Sequence, residues 1–93
     1  MATQQEYEDT KKMVRQAMLE EDVPAQILIQ LGELAKRVLE DKSLYPQLVQ
    51  ELIASELADE EDVSKEIDFQ LVGAIVALGE MTKQMIESGE IEA

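Results

Sequence analysis

The side chains in this sequence that could do chemistry are those of Asp, Glu, Lys, Tyr, Ser and Thr, because it contains no His and no Cys. His is the commonest general base and metal ligand, and Cys supplies thiolates, disulfides and zinc ligands. Catalysis by a pair of carboxylates needs an enclosed pocket that shifts their pKa values apart. The sequence has one Phe, two Tyr and no Trp, so it has few large side chains to enclose such a pocket. No phosphate-binding loop or nucleophile elbow is present. We therefore expect no enzymatic activity and no cofactor.

The densest group of possible oxygen ligands is the acidic segment Asp59-Glu60-Glu61-Asp62, followed by Glu66. Asp59, Asp62 and Glu66 share one face if this stretch is helical. A calcium-binding loop needs a Gly at its centre and a Glu at its twelfth position, and this segment has neither residue at the required position. We therefore predict no metal site here. A solvated helix start that complements the helix dipole is the ordinary interpretation, and docking of a basic partner is the functional one.

The segment around Ser43 combines an acidic residue, a serine and the start of a helix. The run Asp41-Lys42-Ser43-Leu44 resembles the Asp-Ser-Leu motif of acyl carrier proteins, which are small acidic four-helix domains. The resemblance implies a prosthetic group on Ser43. This sequence departs from the motif because Lys42 separates the Asp from the Ser, Pro46 stiffens the next helix, and no long loop precedes the serine. The alternative is that Ser43 is an ordinary helix N-cap.

The spacing of apolar residues predicts four helices, over about 4–20, 24–41, 44–57 and 64–88, and no strand. Thr3 and Glu6 have the spacing of a capping box at the first helix, and Gly89 is placed to end the last, which starts at Ser64 or Asp68. Glu56 interrupts an apolar arc, so we expect the third helix to fray before it. The prediction is an all-α protein, a small antiparallel four-helix bundle forming a single domain over 1–93, with a frayed tail at 90–93.

The last helix has more apolar surface than one bundle face requires. Beside its main apolar face it carries a second strip, Phe69, Val72 and Val76, with small residues nearby that include Gly73 and Gly79. A helix that is apolar all round is a buried helix, so its first half is either the centre of the bundle or a contact between copies. We predict self-association through this strip, with Ile29 on the outer side of the second helix as a further contact.

The charge of the chain is strongly and unevenly negative. There are 21 Asp and Glu against 8 Lys and Arg, a net charge of −13. Residues 1–43 contain 9 acids and 6 bases, whereas residues 44–93 contain 12 acids and 2 bases. Such a surface repels nucleic acid and anionic membranes. The N-terminal segment is polar and no apolar stretch approaches the roughly 20 residues of a bilayer span, so we expect a soluble cytoplasmic protein.

These features predict a small acidic, non-enzymatic interaction protein that self-associates and docks on a basic protein surface. The size and simplicity of the chain are typical of a phage or mobile-element accessory or assembly protein. Two alternatives stay open. The acids could imitate the phosphates of nucleic acid and inhibit a DNA- or RNA-binding enzyme, or Ser43 could be modified as in a carrier protein. An acidic surface that serves only solubility explains the charge as well.

Overall fold

The computed structural model describes residues 4–61 and 66–92, and over these ranges it contains helices and no strand. The α-helices are α1 (Gln4–Glu20), α2 (Ala25–Glu40), α3 (Tyr45–Ala54) and α4 (Phe69–Glu87), and a 3-10 turn, Lys42–Leu44, precedes α3. The predicted all-α, four-helix architecture is confirmed. The Asp68 carboxylate caps α4, accepting the backbone N–H groups of Gln70 and Leu71 at 3.0 and 3.2 Å. Two residues predicted to lie at helix N-termini, Thr3 and Ser64, are outside the described residues.

The core lies where α2 crosses α4, with α1 packed against α4 and α3 packed against α2. All four helices contribute side chains that are fully buried, namely Val14, Leu28, Val38, Leu48, Leu52, Val72, Thr82 and Met85. Thr82 is the polar member of this set, and its hydroxyl donates to the carbonyl oxygen of Leu78 at 2.7 Å. The core therefore buries this hydroxyl without leaving it unpaired.

Two glycines allow α2 and α4 to pack with their backbones in contact. A Cβ built on Gly79 would lie 2.7 Å from the Cα of Gly32, and a Cβ built on Gly32 would lie 2.7 Å from the Cα of Gly79. A Cβ on Gly73 would meet nothing within 4 Å. Small residues in the last helix are expected to permit close approach of another backbone, and Gly79 permits it within the same chain. Its partner is Gly32, which the sequence pattern does not single out.

Ion pairs show that α2 and α4 run in opposite directions. Glu33 pairs with Lys83, and three residues further along α2 the ammonium of Lys36 pairs with Glu80, three residues earlier in α4. The order of partners is thus reversed, which makes α2 and α4 antiparallel to each other. Both pairs are exposed, so each contributes at most about 1 kcal/mol to stability.

Helix α1, by contrast, runs in the same direction as α4. The Tyr7 hydroxyl donates to the side-chain oxygen of Gln84 at 2.8 Å, and Lys11 pairs with Glu90 at 3.2 Å, so partners advance together along both helices. The structure therefore contains a parallel pair of neighbouring helices, α1 and α4, beside the antiparallel pair of α2 and α4. The predicted frayed tail needs correction at its start, because Glu90 holds this ion pair and Ile91 packs against the core.

Helices α3 and α4 end in the same hydrogen-bonding pattern, although different residues occupy the left-handed position. Glu56 follows α3 with φ +63°, and its N–H bonds to the carbonyl oxygen of Ile53 at 3.0 Å. Gly89 follows α4 with φ +80°, and its N–H bonds to the carbonyl oxygen of Ile86 at 3.1 Å. The predicted fraying before Glu56 and the predicted end at Gly89 are confirmed, whereas the predicted range of about 44–57 is corrected because α3 ends at Ala54.

Replacing Glu56 with Gly is expected to raise the free energy of unfolding by about 1 kcal/mol, because the left-handed conformation strains a residue that has a Cβ. Chemical denaturation followed by circular dichroism measures the change. Glu56→Ala is the matched control, since it removes the carboxylate but keeps the Cβ. Equal gains in the two variants would contradict the conformational cause and assign the gain to the lost charge.

Candidate functional site

Two shallow depressions lie end to end along the junction of α2 and α3. Their volumes are about 290 and 320 Å³, and both are lined by Ile27 of α2 and Glu51 of α3. We call them together the α2–α3 groove. Its apolar floor is formed by Ile27, Leu31 and Leu34, of which Leu31 is buried and the other two are partly exposed. The groove runs from Pro24 to Arg37, about 20 Å at the helical rise of 1.5 Å per residue.

One end of this groove is surrounded by carboxylates. Glu21 and Asp22 from the α1–α2 turn, Glu51 from α3 and Glu56 just beyond α3 line the same depression, and we call these four residues the acidic cluster. The C-terminal ends of α1 and α3 lie here together with the N-terminal end of α2, so the helix dipoles largely offset one another and the negative charge comes from the side chains. Among the described residues that line the groove, Arg37 is the cation.

The ion pairs of the protein lie away from the acidic cluster. Within residues 4–61 and 66–92, no Lys or Arg is in ion-pair contact with any of its four carboxylates. The ion pairs instead tie α4 and the segment after it to α1 and α2, through Lys11–Glu90, Arg15–Glu90, Lys36–Glu80 and Lys83–Glu33. The few cations thus neutralise acids around α4 and leave the groove end with concentrated negative charge.

The predicted partner-binding acids continue from this cluster along the chain. Asp59, Glu60 and Glu61 are exposed in the turn that follows α3, and Glu66 is exposed before α4. Asp62 lies outside the described residues. Over the part of the chain that is described, no three acidic side chains are grouped so that they could hold a metal ion.

The predicted self-association strip is divided by the structure. Phe69 is 53% exposed, and its ring lies 5.8 Å from the ammonium nitrogen of Lys42. Val72, in contrast, is fully buried in the core, so it has no surface to offer a second copy. Val76 is partly buried against the core and Ile29 is partly buried on α2. The prediction of Val72 as a contact residue is therefore corrected, because α4 buries that side chain in the core of the same chain.

Ser43 lies inside the 3-10 turn and does not cap α3. Its backbone N–H and its hydroxyl both donate to the Asp41 carboxylate, at 3.1 and 2.6 Å. Asp41 is therefore the capping residue, and the N-cap of α3 is Leu44, which has no side-chain cap hydrogen bond. The predicted N-cap role of Ser43 is wrong, because the acid two residues earlier already satisfies the turn. Ser43 is exposed.

Three carboxylates are held in their charged form by the groups that contact them. The side-chain and backbone hydrogen bonds from Ser43 lower the pKa of Asp41. The hydrogen bond and charge of Lys36 lower the pKa of Glu80. The hydroxyl of Ser88, followed by Lys11, lowers the pKa of Glu90.

We expect these three carboxylates to titrate below their ordinary range in the folded protein, as measured by carboxyl NMR. A pKa lowered by folding contributes stability that is fully present above the unfolded value of about 4 and is lost as the pH falls toward the folded value. Ser43→Ala should move the midpoint of Asp41 upward and leave that of Glu90 unchanged. An Asp41 midpoint that stays in place would show that Ser43 is not the cause.

Comparison with known protein families, with curated proteins and with solved structures found no match to this chain. Along the described residues, no helix is both long enough and apolar enough to cross a bilayer.

Proposed function

We propose that this protein is a non-enzymatic interaction module that docks on a basic surface of another protein through the acidic cluster and the acids that follow it. The observation that supports this is the separation of charge. The Lys and Arg residues in ion pairs serve α4 and its neighbours, while Glu21, Asp22, Glu51 and Glu56 surround one depression without a cation in contact among the described residues. Concentrated charge of one sign steers association with a partner of the opposite sign.

The exposed acids Asp59, Glu60 and Glu61 extend this surface in the chain direction. Their docking role predicts binding that weakens with salt, because the Debye length shrinks from about 10 Å at 0.1 M to about 3 Å at 1 M ionic strength. An acidic surface that serves only solubility predicts no such partner.

Affinity capture from host lysate at moderate salt tests the proposal, using a variant in which Asp59 becomes Asn and Glu60 and Glu61 become Gln. The matched control replaces Glu8 and Glu40 by Gln and Asp9 by Asn, which removes the same charge from exposed positions elsewhere. We expect a partner with a basic surface that is released as salt rises, is lost with the first variant and is retained by the control.

The outcomes separate the interpretations that the sequence left open. A salt-insensitive partner, or equal loss with both variants, would contradict docking through these acids. A captured nucleic-acid-binding enzyme would identify the docking as inhibition by phosphate imitation. Intact mass measurement of the same material tests the carrier-protein alternative, because a prosthetic group would add mass that Ser43→Ala removes.

A further inference from the structure

The α2–α3 groove combines an apolar floor with an acidic rim, and we propose that it binds a basic amphipathic helix of a partner protein. This inference rests on the proposed function and names the form of the partner segment. Ile27 and Leu34 are partly exposed on the same face of α2, two helical turns apart, and Leu31 is buried between them. Apolar anchors of a docked helix would pack against Ile27 and Leu34 from the solvent side.

The shape of the groove favours a helix over an extended peptide. Its length of about 20 Å accommodates between three and four turns of helix at a pitch of 5.4 Å. An extended peptide instead gains affinity by adding a strand to an exposed sheet edge, and residues 4–61 and 66–92 contain no strand. Helix-in-groove recognition requires a furrow between two helices with apolar residues along it; here α2 supplies the apolar residues, and α3 contributes Gln47, Glu51 and Ala54.

The charges along the groove indicate which residues should lie beside the apolar stripe of the bound helix. Glu51 lies at the middle of the groove, where the two depressions meet, and Glu21, Asp22 and Glu56 lie at one end. Lys or Arg residues on either side of an apolar stripe would reach these carboxylates, whereas an acidic helix would be repelled. The opposite end is lined by Glu33 as well as Arg37, so the two charges there offset each other and would meet an uncharged terminus of the bound helix.

A second copy of this chain fits the groove poorly. Each copy carries a net charge of −13, which opposes self-association through an acidic face. Helix α1 carries the cations Lys11, Lys12 and Arg15, of which Lys11 and Arg15 already pair with Glu90 in the same chain. We therefore assign the groove to a different protein.

Fluorescence anisotropy with two synthetic labelled peptides tests this assignment on the full chain. One peptide places Leu residues at helical spacing between flanking Lys and Arg, and the other has the same composition in scrambled order. We expect the amphipathic peptide to bind about tenfold more tightly, since only it presents apolar anchors and cations together. If the scrambled peptide binds equally well, the assignment of the groove as the binding site is overturned, and the protein attracts basic peptides by charge alone.

Variants locate the binding on the protein. Glu51→Lys is expected to weaken the amphipathic peptide about tenfold, while Glu8→Lys, which makes the same charge change on α1, is expected to weaken it less than about twofold. Ile27→Ser is expected to weaken it similarly, with Ile29→Ser on the same helix as control and circular dichroism to verify folding. Equal losses of peptide affinity in Glu51→Lys and Glu8→Lys would overturn the assignment of the groove as the binding site.

The remaining outcomes distinguish this inference from the function on which it rests. If neither peptide binds, but lysate capture still recovers a salt-sensitive basic partner, the groove assignment is overturned and the docking function stands. If capture recovers no such partner, the docking function itself fails. If the wild-type protein is a dimer by light scattering and Glu51→Lys makes it a monomer, a second copy is the occupant and the assignment to another protein is overturned.

Discussion

Replacing Gly79 with Ala is expected to lower the free energy of unfolding by about 3 kcal/mol. The added methyl group would lie 2.7 Å from the Cα of Gly32 and 3.2 Å from the carbonyl oxygen of Leu28. Both contacts are with backbone, which cannot turn aside as the end of a flexible side chain can. The helices α2 and α4 must therefore move apart, and the core that they share loosens along its length.

Gly73→Ala is the matched control for this prediction, because it makes the same change in the same helix. Gly73 is exposed, and its new methyl group would meet nothing within 4 Å, so the better helix propensity of Ala should raise stability by about 0.5–1 kcal/mol. Chemical denaturation followed by circular dichroism gives both values. If the two variants change stability in the same direction, the close crossing at Gly32 and Gly79 is not present in solution.

Gly32→Ala should cost about as much as Gly79→Ala, since its Cβ would lie 2.7 Å from the Cα of Gly79. The double variant should cost less than the two single variants together. Once the first methyl group has separated the helices, the second enters space that is already open. Strictly additive losses would show that the two glycines act at independent places.

Val72→Asp is expected to destabilise the protein by about 4 kcal/mol or more, because it places an uncompensated carboxylate in the core. Val72 is fully buried, and the total stability of a small domain is only roughly 5–15 kcal/mol. We therefore expect a loss of helix content and of cooperative unfolding, measured by circular dichroism and thermal denaturation.

Phe69→Asp provides the comparison, because Phe69 begins the same helix but is 53% exposed. Its carboxylate would stay in water near the positive end of the helix dipole, so the change in stability should stay within about 1 kcal/mol. A Val72→Asp protein that keeps its fold would show that this strip faces outward. Self-association through the exposed part of the strip remains a prediction, and a wild-type dimer that Phe69→Asp converts into a folded monomer would support it.

The positions of the helices and several of their ends could be predicted because local chemistry determines them. The sequence predicts that α1 ends at about residue 20, and the structure has the same end, Glu20. Gly89 and Glu56 were recognised as helix ends because one lacks a Cβ and the other would have put a charge into an apolar arc. The prediction for Ser43 is wrong for a local reason as well, since Asp41, two residues before it, accepts hydrogen bonds from both the backbone N–H and the hydroxyl of Ser43.

The negative charge is the one property of the candidate site that the sequence predicts. The surplus of acids in the second half of the chain is a property of composition, and so was visible without a structure. The acidic cluster, however, joins Glu21 and Asp22 to Glu51 and Glu56, residues far apart in the chain that meet because the start of α2 and the end of α3 lie at the same end of the molecule. No spacing rule within one helix contains that information.

The sequence by itself thus determined that the protein is helical, acidic and without His or Cys chemistry, because these properties belong to single residues or to neighbours within one helix. The tertiary structure alone decided which face of α4 is covered, that Val72 is core while Phe69 is exposed, and that Gly32 meets Gly79. Helical periodicity states which side chains share a face but not which helix packs against that face. That choice depends on how four helices together bury the most apolar surface, a property of the whole chain.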